Sequence, residues 1–138
     1  MAKIIRKNRI ARKPAKTAQK QPRTHTITIT YGAAAILPWS YIIEPLQPEP
    51  QKAKLKRGDT LQWKSKSGDW MVFFKGSTPL EDGNGLGLAS VSGASSGRPV
   101  GGIISQKTKL KDVFNYGVRL ALNNNGGTVT DDPQIIIE

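Results

Sequence analysis

The sequence predicts an all-β fold, a Greek-key β-sandwich preceded by a flexible basic N-terminal arm, and three observations support this expectation. Apolar and polar residues alternate in several short segments, as they do in strands that bury one face. Clusters of Gly, Asn, Asp and Pro separate these segments, which is typical of a β-sandwich or barrel. Positive charge is concentrated in the first 23 residues, and no later segment shows a helical period for more than a turn or two.

The chain divides at residue 23 into a basic arm, residues 1–23, and one sandwich domain, residues 24–138. Nine of the 21 Lys and Arg residues lie in the arm, which has no acidic residue, whereas the other twelve are nearly balanced by ten Asp and Glu residues. The arm cations are Lys3, Arg6, Lys7, Arg9, Arg12, Lys13, Lys16, Lys20 and Arg23. We therefore expect a near-neutral domain, long enough to bury a core, joined to a cationic and disordered arm.

The first predicted strand is the segment THTITITY, residues 24–31. Ile27 and Ile29 point to one face and the threonines to the other. His25 is in register with the isoleucines, so we expect a partly buried histidine with a hydrogen-bond partner. Further strands are predicted at residues 41–43, 53–55, 61–63, 70–74, 101–104, 114–122 and 134–137. The 70–74 segment, WMVFF, is apolar on both faces, as expected of a central strand.

Two segments interrupt this pattern. Residues 44–51 contain three prolines, which favour an extended connector that cannot join the middle of a sheet. Residues 81–102 are rich in Gly and Ser and are predicted to form one long loop, either functional or disordered.

The segment that follows the proline-rich connector is basic. Lys52, Lys54 and Lys56 alternate with Ala53 and Leu55, which places the lysines on the outer face. We expect an edge strand whose lysines oppose edge-to-edge pairing. If the fold were instead an OB-type barrel, this strand and nearby exposed aromatic residues would form a binding face for single strands.

The segment GDTLQW, residues 58–63, resembles the strand opening that is common in cupredoxins, the blue-copper β-sandwiches. Residues 114–116, followed by a strand, a Gly-rich turn and a final Ile-rich strand, are similar to the C-terminal half of that family. The resemblance covers residues 53–75 and 112–138. It implies a cupredoxin-like sandwich.

The resemblance does not extend to the copper ligands. Copper of this type needs two imidazoles and a thiolate, but Trp70 stands where the family has its first histidine and Val118 where it has its cysteine. The loop 123–127 contains neither histidine nor methionine. We therefore predict a metal-free sandwich without a cofactor. The chain has no cysteine, which excludes disulfides, thiolate metal sites and cysteine nucleophiles.

No catalytic motif has the context that its chemistry needs. Residues 93–97 fit the pattern G-x-S-x-G, but that serine requires a strand-to-helix turn and a later histidine, and the sole histidine, His25, precedes it. Residues 82–93 begin like a calcium loop but place Leu86 and Gly93 where oxygen ligands are required. We predict that the protein is not an enzyme. An unrecognised enzyme is the less favoured alternative.

The arm carries the main functional expectation, which is binding to nucleic acid or another polyanion. Its cations are typical of disordered arms that lie along phosphates, and it has no aromatic residue that could stack on a base. The alternatives are a solvated tail, an amphipathic segment on an anionic membrane, and docking on an acidic protein. The sandwich itself could bind a protein partner, and the oligomeric state stays open.

No apolar run reaches the length of a transmembrane span or of the core of a signal peptide. We therefore expect a cytoplasmic protein.

Overall fold

The computed structural model describes residues 21–33, 36–122 and 127–138, and within these ranges it contains eleven strands and no helix. The strands are β1 (Thr24–Tyr31), β2 (Trp39–Glu44), β3 (Lys52–Leu55), β4 (Thr60–Ser65), β5 (Gly68–Phe74), β6 (Leu80–Glu81), β7 (Ser90–Gly93), β8 (Val100–Ile104), β9 (Val113–Leu122), β10 (Thr128–Asp131) and β11 (Gln134–Ile137).

The strands form two mixed sheets, which confirms the predicted all-β sandwich. The first sheet has the order β2-β1-β4-β8-β6 and the second the order β3-β11-β9-β5-β7, with β10 pairing to β9. Two pairs are parallel, β1 with β4 and β11 with β3, and the other pairs are antiparallel. Since β3 ends the order of the second sheet, the predicted edge position of this basic strand is confirmed.

The core lies between the two sheets and is held by aromatic contacts across it. Trp63 of β4 and Tyr116 of β9 are fully buried, and their ring centroids lie 5.6 Å apart in an edge-on arrangement. Phe74 of β5 also contacts the Tyr116 ring, at a centroid distance of 5.7 Å. Such pairs stabilise a core by about 0.5–1.5 kcal/mol each beyond the burial of their area.

The alternation of the sequence corresponds to the two faces of the strands. Ile27 and Ile29 are fully buried, as predicted, and His25 is buried with them. Ala53 and Leu55 are buried between exposed lysines. The 134–137 segment coincides with β11. Of the apolar residues of β5, Trp70, Val72 and Phe74 face the core and are buried. Met71 and Phe73 lie on the outer face and are half-buried.

Residues 81–102 differ from the single long loop that composition predicts. They contain β7, whose Val91 is buried opposite Val72 of β5, and the start of β8. The remaining turn after β6 is closed by the Asp82 carboxylate, which accepts hydrogen bonds from the backbone N–H groups of Asn84 and Leu86. Pairing with neighbouring strands supplies the order that the Gly and Ser content does not indicate.

Candidate functional site

An open groove of about 830 Å³ lies at the end of the sandwich where β1 begins. Five stretches of chain line it: residues 21–25, residues 45–49 of the proline-rich connector, β3 with the turn that follows it, residues 106–110 between β8 and β9, and Glu138. Two strand pairs bring these stretches together. The parallel pair β1–β4 places the starts of both strands side by side, and the parallel pair β3–β11 does the same for their ends.

One side of the groove is formed by the basic edge strand. Lys52 and Lys54 are exposed on β3, and Lys56 and Arg57 continue the charge into the turn before β4. The buried side chains that alternate with the lysines fix their direction, because neighbouring residues of a strand point to opposite faces. The sequence pattern thus determines which way these cations point.

The connector closes the free edge of β3 with a side chain. The amide Nε2 of Gln47 donates to the carbonyl oxygen of Lys54, and the N–H of Lys54 donates to Oε1 of Gln47, both at 2.8 Å. The N–H of Lys52 donates to the carbonyl of Glu49 at 2.8 Å. These backbone groups would otherwise be available to another strand, so the connector forms a wall of the groove and also blocks the edge.

Asp59 holds the other side of the groove together and is itself buried. Its Oδ1 accepts from the backbone N–H of Arg23 at 3.1 Å, and its Oδ2 accepts from the N–H of Lys56 at 3.1 Å. His25 donates to the same Oδ2 from Nε2 at 2.9 Å, so it has a hydrogen-bond partner as predicted, although the sequence did not identify Asp59 as that partner. The start of β1 and the end of β3 are therefore fixed by one carboxylate.

A second turn at this end, residues 105–112, lines the groove through Gln106 and Leu110, while its three lysines are not part of the lining. It carries Lys107, Lys109 and Lys111, and its backbone is fixed by local bonds from the N–H of Lys107 to Ser105 Oγ and from the N–H of Lys109 to Asp112 Oδ2. This end of the sandwich is thus basic on two neighbouring turns.

The cations that line the groove outnumber the carboxylates that line it. They are Arg23, Lys52, Lys54, Lys56 and Arg57, and the lining carboxylates are Glu49, Asp59 and Glu138. None of these cations forms an ion pair with a carboxylate of the described residues. Asp59 is already occupied by the three N–H groups described above. The five cations that line the groove are therefore exposed to solvent.

Apolar side chains stand beside this charge. Leu46 of the connector is 83% exposed and Leu110 of the second turn is 61% exposed, and both line the groove together with Pro45 and Pro48. Neither leucine belongs to the core. The groove therefore combines a cationic wall with an exposed apolar rim.

Of the nine predicted arm residues, Arg23 lies in this groove, and the other eight, Lys3 to Lys20, lie outside the described residues. The basic strand had been predicted from alternation. Leu46, Leu110 and the linking role of Asp59 were not predicted, because each depends on contacts between distant parts of the chain. The Gly-Asp dipeptide was an available signal for a structural carboxylate.

The positions that correspond to copper ligands in the resembled family are part of the core. Trp70 is 2% exposed and Val118 is fully buried. The Trp70 ring lies against Gly93, where a Cβ atom would come within 2.6 Å of it. Within the described part of the chain, no group of three His, Cys, Asp or Glu residues is placed to hold a metal ion.

The motif at residues 93–97 forms a turn after β7. The N–H of Ser95 donates to Asp69 Oδ1 at 2.9 Å, and the N–H of Gly97 donates to the carbonyl of Ala94 at 2.9 Å. His25 lies in β1 of the first sheet, whereas β7 belongs to the second sheet, and the His25 ring is bound to Asp59. The structure therefore does not bring this serine and the histidine into one hydrogen-bonded pair.

A second exposed surface lies at the opposite end of β1, in the β1–β2 hairpin. Ile36 is 99% exposed and Leu37 is 81% exposed. In the two strands that this hairpin joins, Trp39 contacts Tyr31 edge-on and stacks on Tyr41. The hydroxyl of Tyr41 donates to Asp131 at 2.7 Å, and burial, reinforced by this bond, raises the pKa of Tyr41 far above its ordinary value.

Comparison with models of protein families found no match for this sequence, and a search of curated proteins found no relative. Among the described residues, no helix has the length and apolar character needed to cross a membrane.

Proposed function

We propose that this protein is a non-catalytic, polyanion-binding module, a metal-free sandwich of the cupredoxin-like type whose arm and groove bind one nucleic acid or other polyanion. The observation that carries the proposal is the position of Arg23. The last cation of the arm lines the same groove as Lys52, Lys54, Lys56 and Arg57, and these side chains have no carboxylate partner among the described residues. Arg23, the last cation of the arm, therefore adds its charge to the cationic wall of the groove.

The physical basis is the release of counterions from the polyanion. Each phosphate that a Lys or Arg neutralises releases condensed cations, which makes the affinity fall as salt rises. Long cationic side chains on an edge strand can follow a flexible phosphate chain without fixed geometry. Binding of this kind contributes affinity and little sequence specificity.

The test compares three full-length variants with the unaltered chain by fluorescence anisotropy on a labelled oligonucleotide over a series of salt concentrations. One variant is Lys52→Gln/Lys54→Gln/Lys56→Gln. The second replaces the eight arm cations from Lys3 to Lys20 by Gln. The matched control, Lys64→Gln/Lys75→Gln/Arg98→Gln, loses the same charge as the first variant at positions that do not line the groove. The arm is not deleted through residue 23, because Arg23 is bonded to Asp59 and Thr60.

We expect the groove variant to lower the slope of log affinity against log salt by about two units, at roughly 0.7–0.9 per lost phosphate contact. The arm variant should lower it further, and the control should leave it nearly unchanged. Equal effects of the groove variant and the control would contradict a role for the groove. Undetectable binding by the unaltered chain at low salt would contradict the proposed function.

A second candidate function is protein recognition through the β1–β2 hairpin, which is favoured by the exposure of Ile36 and Leu37. Exposed apolar patches of this kind mark interaction sites. The variant Ile36→Ser/Leu37→Ser should abolish recovery of a stoichiometric partner in affinity purification while oligonucleotide binding stays unchanged. This function would be contradicted if the variant still recovered the partner. It would also be contradicted if neither the variant nor the unaltered chain recovered one.

A further inference from the structure

The composition of the groove wall separates two kinds of polyanion. Lys52 and Lys54 present charge along the edge strand, whereas Leu46 and Leu110 present exposed apolar surface beside it. Gln47 joins the two features, since its side-chain amide bonds to both backbone groups of Lys54 and so holds the connector with Leu46 next to the basic strand. A ligand in this groove therefore meets charge and apolar surface together.

A purely ionic ligand gains nothing from the apolar rim. Covering Leu46 or Leu110 with a hydrated sulfate or phosphate chain would bury apolar surface against strongly solvated groups. A double helix also gains little, because its bases are stacked inside and its phosphates lie on a wide convex surface. A single strand differs, since it is flexible, carries phosphates along its length and exposes base faces that can pack on apolar side chains.

We infer that the groove binds single-stranded nucleic acid, with phosphates on the lysines of β3 and base faces on Leu46 and Leu110. This inference rests on the proposed function, because it names the polyanion that the groove prefers. The size of the groove agrees with it: a cavity of about 830 Å³ lies within the roughly 300–1,000 Å³ range of small-molecule sites and accommodates a short stretch of single strand.

An acidic peptide with apolar residues is the competing occupant. Such peptides commonly bind by adding a strand to an open sheet edge. Here the backbone of Lys54 is already bonded to Gln47, and the N–H of Lys52 is bonded to the carbonyl of Glu49. The edge of β3 therefore offers side chains rather than backbone groups, which favours a ligand whose own charges lie on its backbone.

The experiment measures binding of the full-length protein to four probes at one salt concentration: a DNA single strand of about 15 nucleotides, the same sequence as a blunt duplex, inorganic polyphosphate, and an acidic Leu-containing peptide. The variant is Leu46→Ser/Leu110→Ser. The matched control is Leu86→Ser, which removes a 66% exposed leucine that does not line the groove. Because all three leucines are exposed, the variants should fold, and thermal melting checks this.

We expect the unaltered chain to prefer the single strand over the duplex and over polyphosphate. The double variant should lose about tenfold in affinity for the single strand, because two apolar contacts with base faces are removed. Its affinity for duplex and polyphosphate should be unchanged, and Leu86→Ser should behave as the unaltered chain.

Equal affinity for single strand and duplex would overturn the inference and leave the proposed function intact, as would a double variant that binds the single strand normally. Tighter binding of the acidic peptide than of the single strand would assign the groove to a protein ligand instead. If none of the polyanions binds, the proposed function fails and the inference fails with it.

Discussion

At the scale of single residues, Asp59 is the side chain on which the geometry of the groove depends. It is 5% exposed and accepts hydrogen bonds from Arg23, His25 and Lys56, which come from three separate parts of the chain. A buried polar pair such as His25 and Asp59 is costly to break, because the remaining group is left without a partner. The Asp59 carboxylate thus stabilises the sandwich and also positions two cationic residues, because the backbone N–H groups of Arg23 and Lys56 both donate to it.

The variant Asp59→Ala should lower the free energy of unfolding by about 2–4 kcal/mol, because it leaves His25 Nε2 and two backbone N–H groups without their acceptor. Urea denaturation followed by tryptophan fluorescence measures this. Asp82→Ala is the control, since Asp82 also accepts from two backbone N–H groups but in an exposed turn, and should cost under about 1 kcal/mol. Similar losses for the two variants would show that Asp59 has no special structural role.

At the scale of the strands, the edge of β3 is protected in two ways that differ in origin. The lysines were predictable from alternation with Ala53 and Leu55. The Gln47 amide was not, because a side chain that imitates a neighbouring strand leaves no periodic signal in the sequence. The connector holds this amide against Lys54, so it blocks the edge of β3 without being a strand of the sheet.

Removing both protections should make the protein self-associate. The variant Gln47→Ala/Lys52→Thr/Lys54→Thr leaves the backbone N–H and C=O of residue 54 without the Gln47 amide. It also removes two charges that would repel the edge strand of a second molecule. Size-exclusion chromatography with light scattering should then give a higher mass than for the unaltered chain. The variant Lys52→Thr/Lys54→Thr, which keeps Gln47, should change the mass less. A triple variant with the mass of the unaltered chain would contradict the role assigned to the edge.

The strands that sequence reasoning found and missed differ in how they are stabilised. β1 and β9 have long alternating faces, and β11 is a run of isoleucines, so local pattern predicts them. β6 has two residues and β7 has the sequence SVSG, so their conformation comes from pairing with β8 and β5 rather than from their own composition. The groove divides in the same way. Its lysines follow from alternation, but its apolar rim follows from where two distant turns meet.

At the scale of the whole molecule, the two ends of the sandwich have different chemistry. The groove end carries Arg23, the basic edge strand and the turn with three lysines, whereas the other end carries the exposed apolar hairpin and its aromatic cluster. β1 connects them, with His25 at one end and Tyr31 at the other. A polyanion and a protein partner would therefore bind at opposite ends of the same strand without competing.

The stability of the molecule should depend on pH in the alkaline range because of two buried tyrosines. Burial raises the pKa of Tyr116, and burial together with the bond to Asp131 raises the pKa of Tyr41, both from an ordinary value of 10.0. The folded state therefore keeps both protons while the unfolded chain loses them. Their contribution to stability is complete below pH 10 and is lost as pH rises above it, by up to about 1.4 kcal/mol per pH unit for the fully buried Tyr116 and by less for Tyr41.

Urea denaturation at pH 8 and pH 11 tests this, with Tyr116→Phe and Tyr41→Phe beside the unaltered chain. Each variant should lose less stability between the two pH values than the unaltered chain does, because one ionising group has been removed. Lysine deprotonation affects all three proteins alike and cancels in the comparison. An identical loss in all three would contradict the assignment of the alkaline sensitivity to these tyrosines.

The pairing of β3 with β11 also has a kinetic meaning. β3 has no other strand beside it, and its partner comes from the far end of the described chain, so a large loop must close before the pair can form. A chain that has already collapsed around Trp63 and Tyr116 can therefore still lack its edge strand. Since Lys52 and Lys54 of β3 line the groove, a state without this edge strand would also lack the basic wall, and the groove is complete only once the pair with β11 has formed.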